Sequence, residues 1–289
     1  MRVLVTGASG FSGSYIAAEL ARSGFDVTGT YRRGLGFAEP LQGSKGLTLV
    51  HADLGGALSS LGAFETVVHT AATSPAPGVT NSDLLRDNSE ATVRLAEAAV
   101  GNGCNRFIYL SSLSIYGEIT VPVVDENTPI ANPDRYGVTK FQGEQAIAAH
   151  ETDFSGIALR LPGVIGHGAH RNWLSGVAAK LRAAETITAF ELGAPFNNAC
   201  HVADLAHLIA GLCDRDWQGF DAVVLGARGS VTVRNAIERL ASAISVTAHI
   251  DEIEAPKPGF ILSSDRAISR WGYDPMEIGT MIERYGREI

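Results

Sequence analysis

Cysteine is scarce in this chain. Cys104, Cys200 and Cys213 are far apart, odd in number and form no CxxC pair. That excludes a disulfide framework and a cysteine-based zinc site, and it points to a reducing compartment. No apolar run approaches the ~20 residues that a membrane span requires, so no membrane partner is expected. Basic residues are outnumbered, 23 Lys and Arg against 31 Asp and Glu, for a formal charge of −8. Such a balance grips a phosphate backbone poorly, and nucleic acid is not expected as a partner either. His167, His170, His201, Asp204 and His207 match no zinc spacing, so no metal is expected. Met1-Arg2-Val3-Leu4-Val5-Thr6 starts a strand at once and leaves no room for a signal peptide, which favours the cytoplasm.

What the chain does have is a regular alternation. Short apolar runs fall at Arg2–Thr6, Asp26–Tyr31, Leu47–His51, Thr66–Thr70, Arg106–Ser111 and Ile157–Leu161. Helical patterns lie between them at Ser12–Arg22, Asp83–Val100 and Tyr136–His150. Most of the runs lack polar alternation, as strands buried on both faces do. This order predicts an α/β fold, a doubly wound parallel sheet of the Rossmann type, over residues 1–165. Beyond residue 165 the regularity fades. Helices are expected at Arg171–Glu185 and Ala203–Asp214, a short strand at Thr186–Phe190, and a helix capped by Thr232 that runs to about Ser245. Asp221–Leu225 reads as a buried strand that returns to the sheet. The stretch Ala255-Pro256-Lys257-Pro258-Gly259 precedes two short terminal helices. Residues 166–289 are therefore expected to form a smaller, loop-rich α/β domain.

Thr6-Gly7-Ala8-Ser9-Gly10-Phe11-Ser12-Gly13 joins the first strand to the first helix. A glycine-rich turn there lets backbone approach a pyrophosphate, while the helix N-terminus offers free N–H donors. Gly7, Ser9, Gly10, Phe11 and Gly13 are the expected dinucleotide contacts, with GxxGxxG spacing rather than GxGxxG. An enzyme using NAD places an acidic residue about 20 residues further on, at the end of the next strand. Here that strand ends Thr30-Tyr31-Arg32-Arg33, with no carboxylate. Guanidinium at Arg32 and Arg33 suits the 2′-phosphate of NADP(H), which is preferred, with NAD(H) possible.

Tyr136-Gly137-Val138-Thr139-Lys140 places a phenol and an ammonium on one helix face. A nearby ammonium is expected to favour the phenolate and so bring its pKa toward the working range. Upstream, Ser111-Ser112-Leu113-Ser114-Ile115-Tyr116-Gly117 follows a buried strand, where a hydroxyl faces the ligand crevice.

These motifs, in order along nearly the whole chain, resemble the extended short-chain dehydrogenase/reductase family, the NAD(P)-dependent epimerase/dehydratase group. The resemblance implies a catalytic Ser112, Tyr136 and Lys140. It implies adenine contacts at Asp53 and Leu54, cofactor contacts at Thr70, Ala71, Ala72 and Asn88, and a nicotinamide contact at Pro162. Substrate contacts are implied at Thr73, Ser112, Ser114 and Tyr136, and at Asn172, Asn197 and Lys257 in the second domain. Asn197 and Lys257 stand where many relatives acting on nucleotide sugars carry arginine. Asparagine supplies no charge, and lysine lacks the bidentate fork. The function implied is an NADP(H)-dependent oxidoreductase interconverting carbonyl and alcohol on a sugar or nucleotide-sugar substrate, foremost a keto-deoxysugar reductase. An NAD-dependent nucleotide-sugar 4-epimerase is the alternative, and a non-catalytic NADP(H) sensor is the alternative of another class. The family often dimerises through the helix bearing Tyr136 and its neighbour, so a homodimer is a further implication.

Overall fold

Strand β1 (Arg2–Thr6) is followed by α1 (Phe11–Arg22), β2 (Asp26–Tyr31), β3 (Leu47–His51) and β4 (Thr66–His69). Then come α2 (Asn81–Leu84), a π-helical turn (Leu85–Glu90), α3 (Ala91–Gly101), β5 (Arg106–Ser112) and a 3₁₀ turn (Leu113–Tyr116). The chain continues through β6 (Val123–Val124), α4 (Arg135–Ala148), β7 (Ser155–Leu161), β8 (Gly163–Ile165), α5 (Trp173–Arg182), β9 (Ile187–Phe190) and β10 (Pro195–Phe196). It ends with β11 (Ala199–His201), α6 (Val202–Asp214), β12 (Phe220–Val224), β13 (Val231–Thr232), α7 (Val233–Ala243), β14 (Ile250–Ile253), β15 (Ile261–Leu262), α8 (Asp265–Trp271) and α9 (Ile278–Glu288). This computed structural model describes residues 1–56, 58, 61–254 and 259–289. The proline-rich stretch expected before the terminal helices, with Lys257, lies outside the described residues apart from Gly259.

Seven strands form one sheet in the order β12-β7-β5-β4-β1-β2-β3, with β1, β2, β3, β4 and β5 paired in parallel. Val3, Leu4 and Val5 of β1, inside the sheet, are all buried, as in a strand covered on both faces, whereas the edge strand β3 buries only Leu47. The chain moves outward from β1 to β3 and then crosses to β4 on the other side of β1. A crevice therefore opens at the carboxyl ends of β1 and β4, which is where ligands bind in open sheets of this kind.

Two compact units divide the chain. The first comprises 1–117, 130–160 and 205–223, and the second 118–129, 161–204 and 224–289. Beyond residue 165, β12 lies in the sheet, where a returning strand at Asp221–Leu225 is expected, and α6, which leads into it, belongs mostly to the first unit as well. In the first unit Leu4, Val67, Leu95, Phe107, Tyr109 and Ile147 build the core. In the second, α9 buries Ile278, Met281, Ile282 and Tyr285, the spacing of a one-sided amphipathic helix. They join Leu174 and Leu181 of α5 with Ile237 and Leu240 of α7.

The helix expected over Asp83–Val100 contains the π-helical turn, which its apolar periodicity did not announce. Such turns are frequent at functional sites. Here it sets the adjacent side chains of Asp87 and Asn88 on a single partner, Thr73.

The glycine turn is built by close backbone packing. Gly7 adopts φ +70°, and a Cβ there would lie 2.7 Å from the Ala71 Cα. A Cβ on Gly13 would fall 2.2 Å from the Gly7 carbonyl oxygen. Gly176, exposed on α5, has no neighbour within 4 Å of the corresponding point. Gly13→Ala is therefore expected to lower the unfolding free energy by about 1–3 kcal/mol through overpacking. Gly176→Ala should raise it by about 0.5–1 kcal/mol, since alanine orders a helix interior more cheaply. Urea titration of both variants checks the pair; equal effects would refute the packing account.

Candidate active site and cofactor crevice

Five of the predicted loop residues frame the start of α1. Gly10 caps this helix in an extended conformation without a side-chain hydrogen bond, and the first turn holds no acidic residue. Its N–H groups thus keep their affinity for an anion. Gly10 N donates to the Gly7 carbonyl at 2.9 Å, and Ala8 N to the Thr30 carbonyl at 2.8 Å, which pins the turn to β2. The Ser9 carbonyl accepts from Phe37 N at 3.1 Å, and Phe11 meets the Phe37 ring edge-on. The glycine cradle that any Cβ would fill, beside an uncapped helix start, fits a dinucleotide pyrophosphate.

The opposite wall follows β4. Thr70 Oγ1 donates to the Thr6 carbonyl at 2.7 Å, and Ala71 N donates to Thr6 Oγ1 at 3.3 Å. His69 is fully buried, with Nδ1 2.6 Å from Thr6 Oγ1 and Nε2 2.9 Å from Thr92 Oγ1. Burial, with Lys140 adding to it, pulls its pKa down to about 3, so it is a neutral structural link. Asn88, also buried, accepts from Thr73 N at 2.7 Å and donates to Thr139 Oγ1 at 3.2 Å. It ties the loop after β4 to α4. Asp53 turns its carboxylate onto Gly55 N at 2.9 Å, and Leu54 beside it is buried.

Ser112 ends β5 and caps the 3₁₀ turn, its hydroxyl accepting from Ser114 N at 3.1 Å. Its Oγ lies 3.2 Å from Ser114 Oγ. Asp134 caps α4 by accepting from Gly137 N at 2.7 Å. A Cβ on Gly137 would lie 2.1 Å from the Ser114 carbonyl oxygen, so only glycine lets α4 begin there. This contact brings Tyr136 to Ser112. Burial pushes the Tyr136 phenol pKa up, Ser74 and Ser112 oppose the shift through hydrogen bonds, and Asp134 adds to it. The Ser74 contact was not foreseen, since only its neighbour Thr73 was singled out. The hydroxyl of Thr73 instead donates to Asp87 at 2.6 Å.

Lys140 departs from expectation. Its ammonium stands 4.1 Å from the centroid of the Tyr109 ring and is almost completely buried. Burial draws its pKa down to about 7, against the opposing field of Glu144. The low-dielectric surroundings raise the phenol and depress the ammonium together. Behind it, Glu144 and Arg160 form a buried ion pair with Nη2 to Oε2 at 2.8 Å. Ser111 Oγ donates to Glu144 Oε1 at 2.5 Å, and Arg160 Nη1 donates to Tyr116 OH at 2.8 Å. The i,i+4 spacing of Lys140 and Glu144 is the signal that points to this carboxylate.

Arg32 and Arg33 differ. Arg32 donates from Nη1 and Nη2 to the two carboxylate oxygens of Asp87, at 2.8 and 2.9 Å. Arg33 is exposed. In the second unit, Pro162 immediately precedes β8. Asn172 caps α5, accepting from Ser175 N at 2.9 Å and donating to the Val164 carbonyl at 3.0 Å. Asn197 is buried and holds the backbone of Leu262 at 2.8 Å in both directions. Its amide thus serves the local fold. Among the described residues, no group of three or more His, Cys, Asp or Glu is placed to hold a metal ion, and no helix is long and apolar enough to cross a membrane.

The depressed Lys140 pKa has a consequence for stability. Between about pH 7 and the ordinary value of 10.5, the unfolded chain keeps a proton that the folded chain has released. Stability of the cofactor-free protein should therefore rise with pH across that window, relative to Lys140→Met, by up to ~1.4 kcal/mol per pH unit. Denaturant titrations at several pH values measure this; a pH-independent difference would mean that Lys140 ionises normally.

A dTDP-6-deoxy-L-talose 4-dehydrogenase (NAD(P)(+)) of Kitasatospora kifunensis is 30% identical over 271 residues, covering 88% of this chain and 83% of the relative. A UDP-glucose 4-epimerase of Corynebacterium glutamicum is 30% identical over 159 residues, 53% of this chain, and the match spans about half (48%) of that relative's length. Among solved structures, UDP-glucuronic acid 4-epimerase from Bacillus cereus shares the fold with a TM-score of 0.86 at 21% identity, covering 99% of this chain and 95% of its own. MoeE5 in complex with UDP-glucuronic acid and NAD has a TM-score of 0.79 at 26% identity, with complete coverage of both chains (100%). The model of the NAD dependent epimerase/dehydratase family matches residues 3–226, and the chain belongs to that family.

Proposed function

We propose that this protein is an NAD(P)(H)-dependent oxidoreductase that interconverts a ketone and an alcohol on a sugar or nucleotide sugar, working as a keto-deoxysugar reductase with a preference for NADP(H). The observation that carries this is the meeting of Ser112 and Tyr136 at the carboxyl end of β5, with Lys140 one turn further along α4. A phenol whose pKa is raised by burial is protonated at neutral pH, the form that a reduction draws on at its start. Tyr136 would give its proton to the carbonyl oxygen while the Ser112 hydroxyl donates a hydrogen bond to the same oxygen. The bound dinucleotide supplies the hydride. The Gly7–Gly13 turn and the start of α1 would hold its pyrophosphate. Lys140 would leave the Tyr109 face to hold the nicotinamide ribose. The relative named as a 4-dehydrogenase using NAD(P)(+) covers most of this chain and supports both the sugar chemistry and the latitude in cofactor.

The second candidate is a nucleotide-sugar 4-epimerase with tightly held NAD, and the likeness to UDP-glucose 4-epimerase favours it. It uses the same three side chains, so the cofactor separates the two: NADPH consumed stoichiometrically marks the reductase, retained NAD with no net consumption the epimerase. A non-catalytic sensor would have no use for an acid–base pair.

Tyr136→Phe is expected to lower kcat about 10²- to 10⁴-fold while cofactor affinity stays within a few-fold, because the phenol proton acts in the chemistry alone. Turnover equal to wild type would remove the acid–base role and return the sensor to consideration. For the cofactor, Arg32→Ala should weaken NADPH about tenfold to a hundredfold and spare NADH, with the gap between the two cofactors in the wild type narrowing as salt rises. Titration of each cofactor by tryptophan fluorescence checks this, and equal wild-type affinities would move the epimerase ahead.

A further inference from the structure

Arg32 follows β2, on one side of β1, and Asp87 lies in the π-helical turn that follows β4, on the other side. Their ion pair thus runs from one side of the topological switch point to the other, over the ground where open sheets of this type receive the adenosine half of a dinucleotide. The pairing is bidentate, at 2.8 and 2.9 Å. Both terminal nitrogens of the guanidinium are engaged, which is the same fork that a phosphate would take. The carboxylate is more deeply set than its partner, with the side chains 8% and 34% exposed, so the arginine is the more accessible member. Asp87 is itself held in place. Arg86 Nε donates to it at 2.9 Å and Thr73 Oγ1 at 2.6 Å, and Asn88 beside it anchors the same loop.

We propose that Asp87 is a specificity-determining residue, a built-in competitor that holds the Arg32 fork until the 2′-phosphate of NADP(H) displaces it. This rests on the assignment of Arg32 as the phosphate contact made above. An enzyme committed to NAD carries an acidic residue at the end of β2. Here the carboxylate comes from the far side of the crevice and acts on the arginine instead of on the ribose. Its effect is to narrow the advantage of NADP(H) over NAD(H), because phosphate binding must first break two charge-assisted bonds whereas a ribose hydroxyl leaves them intact.

The test is a titration of NADPH and NADH against the full chain in four forms: wild type, Asp87→Asn, Arg32→Ala and the double variant. In Asp87→Asn the ratio of NADH to NADPH dissociation constants should rise about tenfold, and the substitution should change nothing in that ratio once Arg32 is alanine. Asp87→Ser, which also removes the charge and keeps a partner for Thr73, repeats the measurement should the asparagine variant fail to fold by circular dichroism. An unchanged or lowered ratio in the neutral variants, with Arg32→Ala still selective against NADPH, overturns the competitor role and leaves the Arg32 assignment standing. A ratio indifferent to Arg32→Ala overturns that assignment, and this proposal with it.

Discussion

The buried pair of Glu144 and Arg160 connects the parts on which the site depends. Glu144 sits on α4 one turn beyond Lys140, and Arg160 lies near the end of β7. Ser111 of β5 and Tyr116 of the following turn complete the network. Taking two such charges out of water carries a penalty of several kcal/mol per ion, offset only when the geometry is good and the remaining donors and acceptors are satisfied. Here both oxygens of Glu144 and the terminal nitrogens of Arg160 are engaged. An apolar substitute of equal volume would often be no less stable. What it would not do is hold α4, β5 and β7 in one register, and Tyr136, Ser112 and Lys140 take their places from that register.

Around this frame two cations beside the crevice have close partners. Lys140 rests on the face of Tyr109, an electrostatic contact that suits a buried ammonium. Arg32 rests on Asp87. Both are groups that the proposed chemistry would call on at opposite ends of the dinucleotide. A buried or half-buried cation without a partner would lose its charge or find water, so each is held by the nearest π face or carboxylate.

The tightest packing in the crevice is backbone against backbone. Gly7 against Ala71 draws the first turn to the loop after β4, and Gly137 against the Ser114 carbonyl draws α4 to the end of β5. No side-chain interaction could substitute for these approaches, since a single methyl group would occupy the space. They explain why glycine recurs where the chain turns into a helix beside the crevice.

Much of this was legible in the residues themselves. β1, β2 and β3 lie where their short β-branched runs put them, and β1, buried from Val3 to Thr6, carries the continuous apolar signature of a strand covered on both faces. The glycine turn and the Tyr136–Lys140 pair were readable for the same reason, being local and written at fixed spacing. Other features depended on residues far apart in sequence. Asp87 lies 55 positions from Arg32, and nothing near either one announces the other. Asn197, expected to meet substrate, is buried and hydrogen-bonds both backbone groups of Leu262, 65 positions away. The π-helical turn obeys no apolar period, and the Lys140 pKa depends on a burial that only packing creates. Local spacing thus determined the sheet, the glycine turn and the placing of Tyr136 and Lys140 on one helix. The partners and protonation of the charged groups were decided by tertiary structure, because electrostatic energy depends on distance and dielectric, and neither is a property of position along the chain.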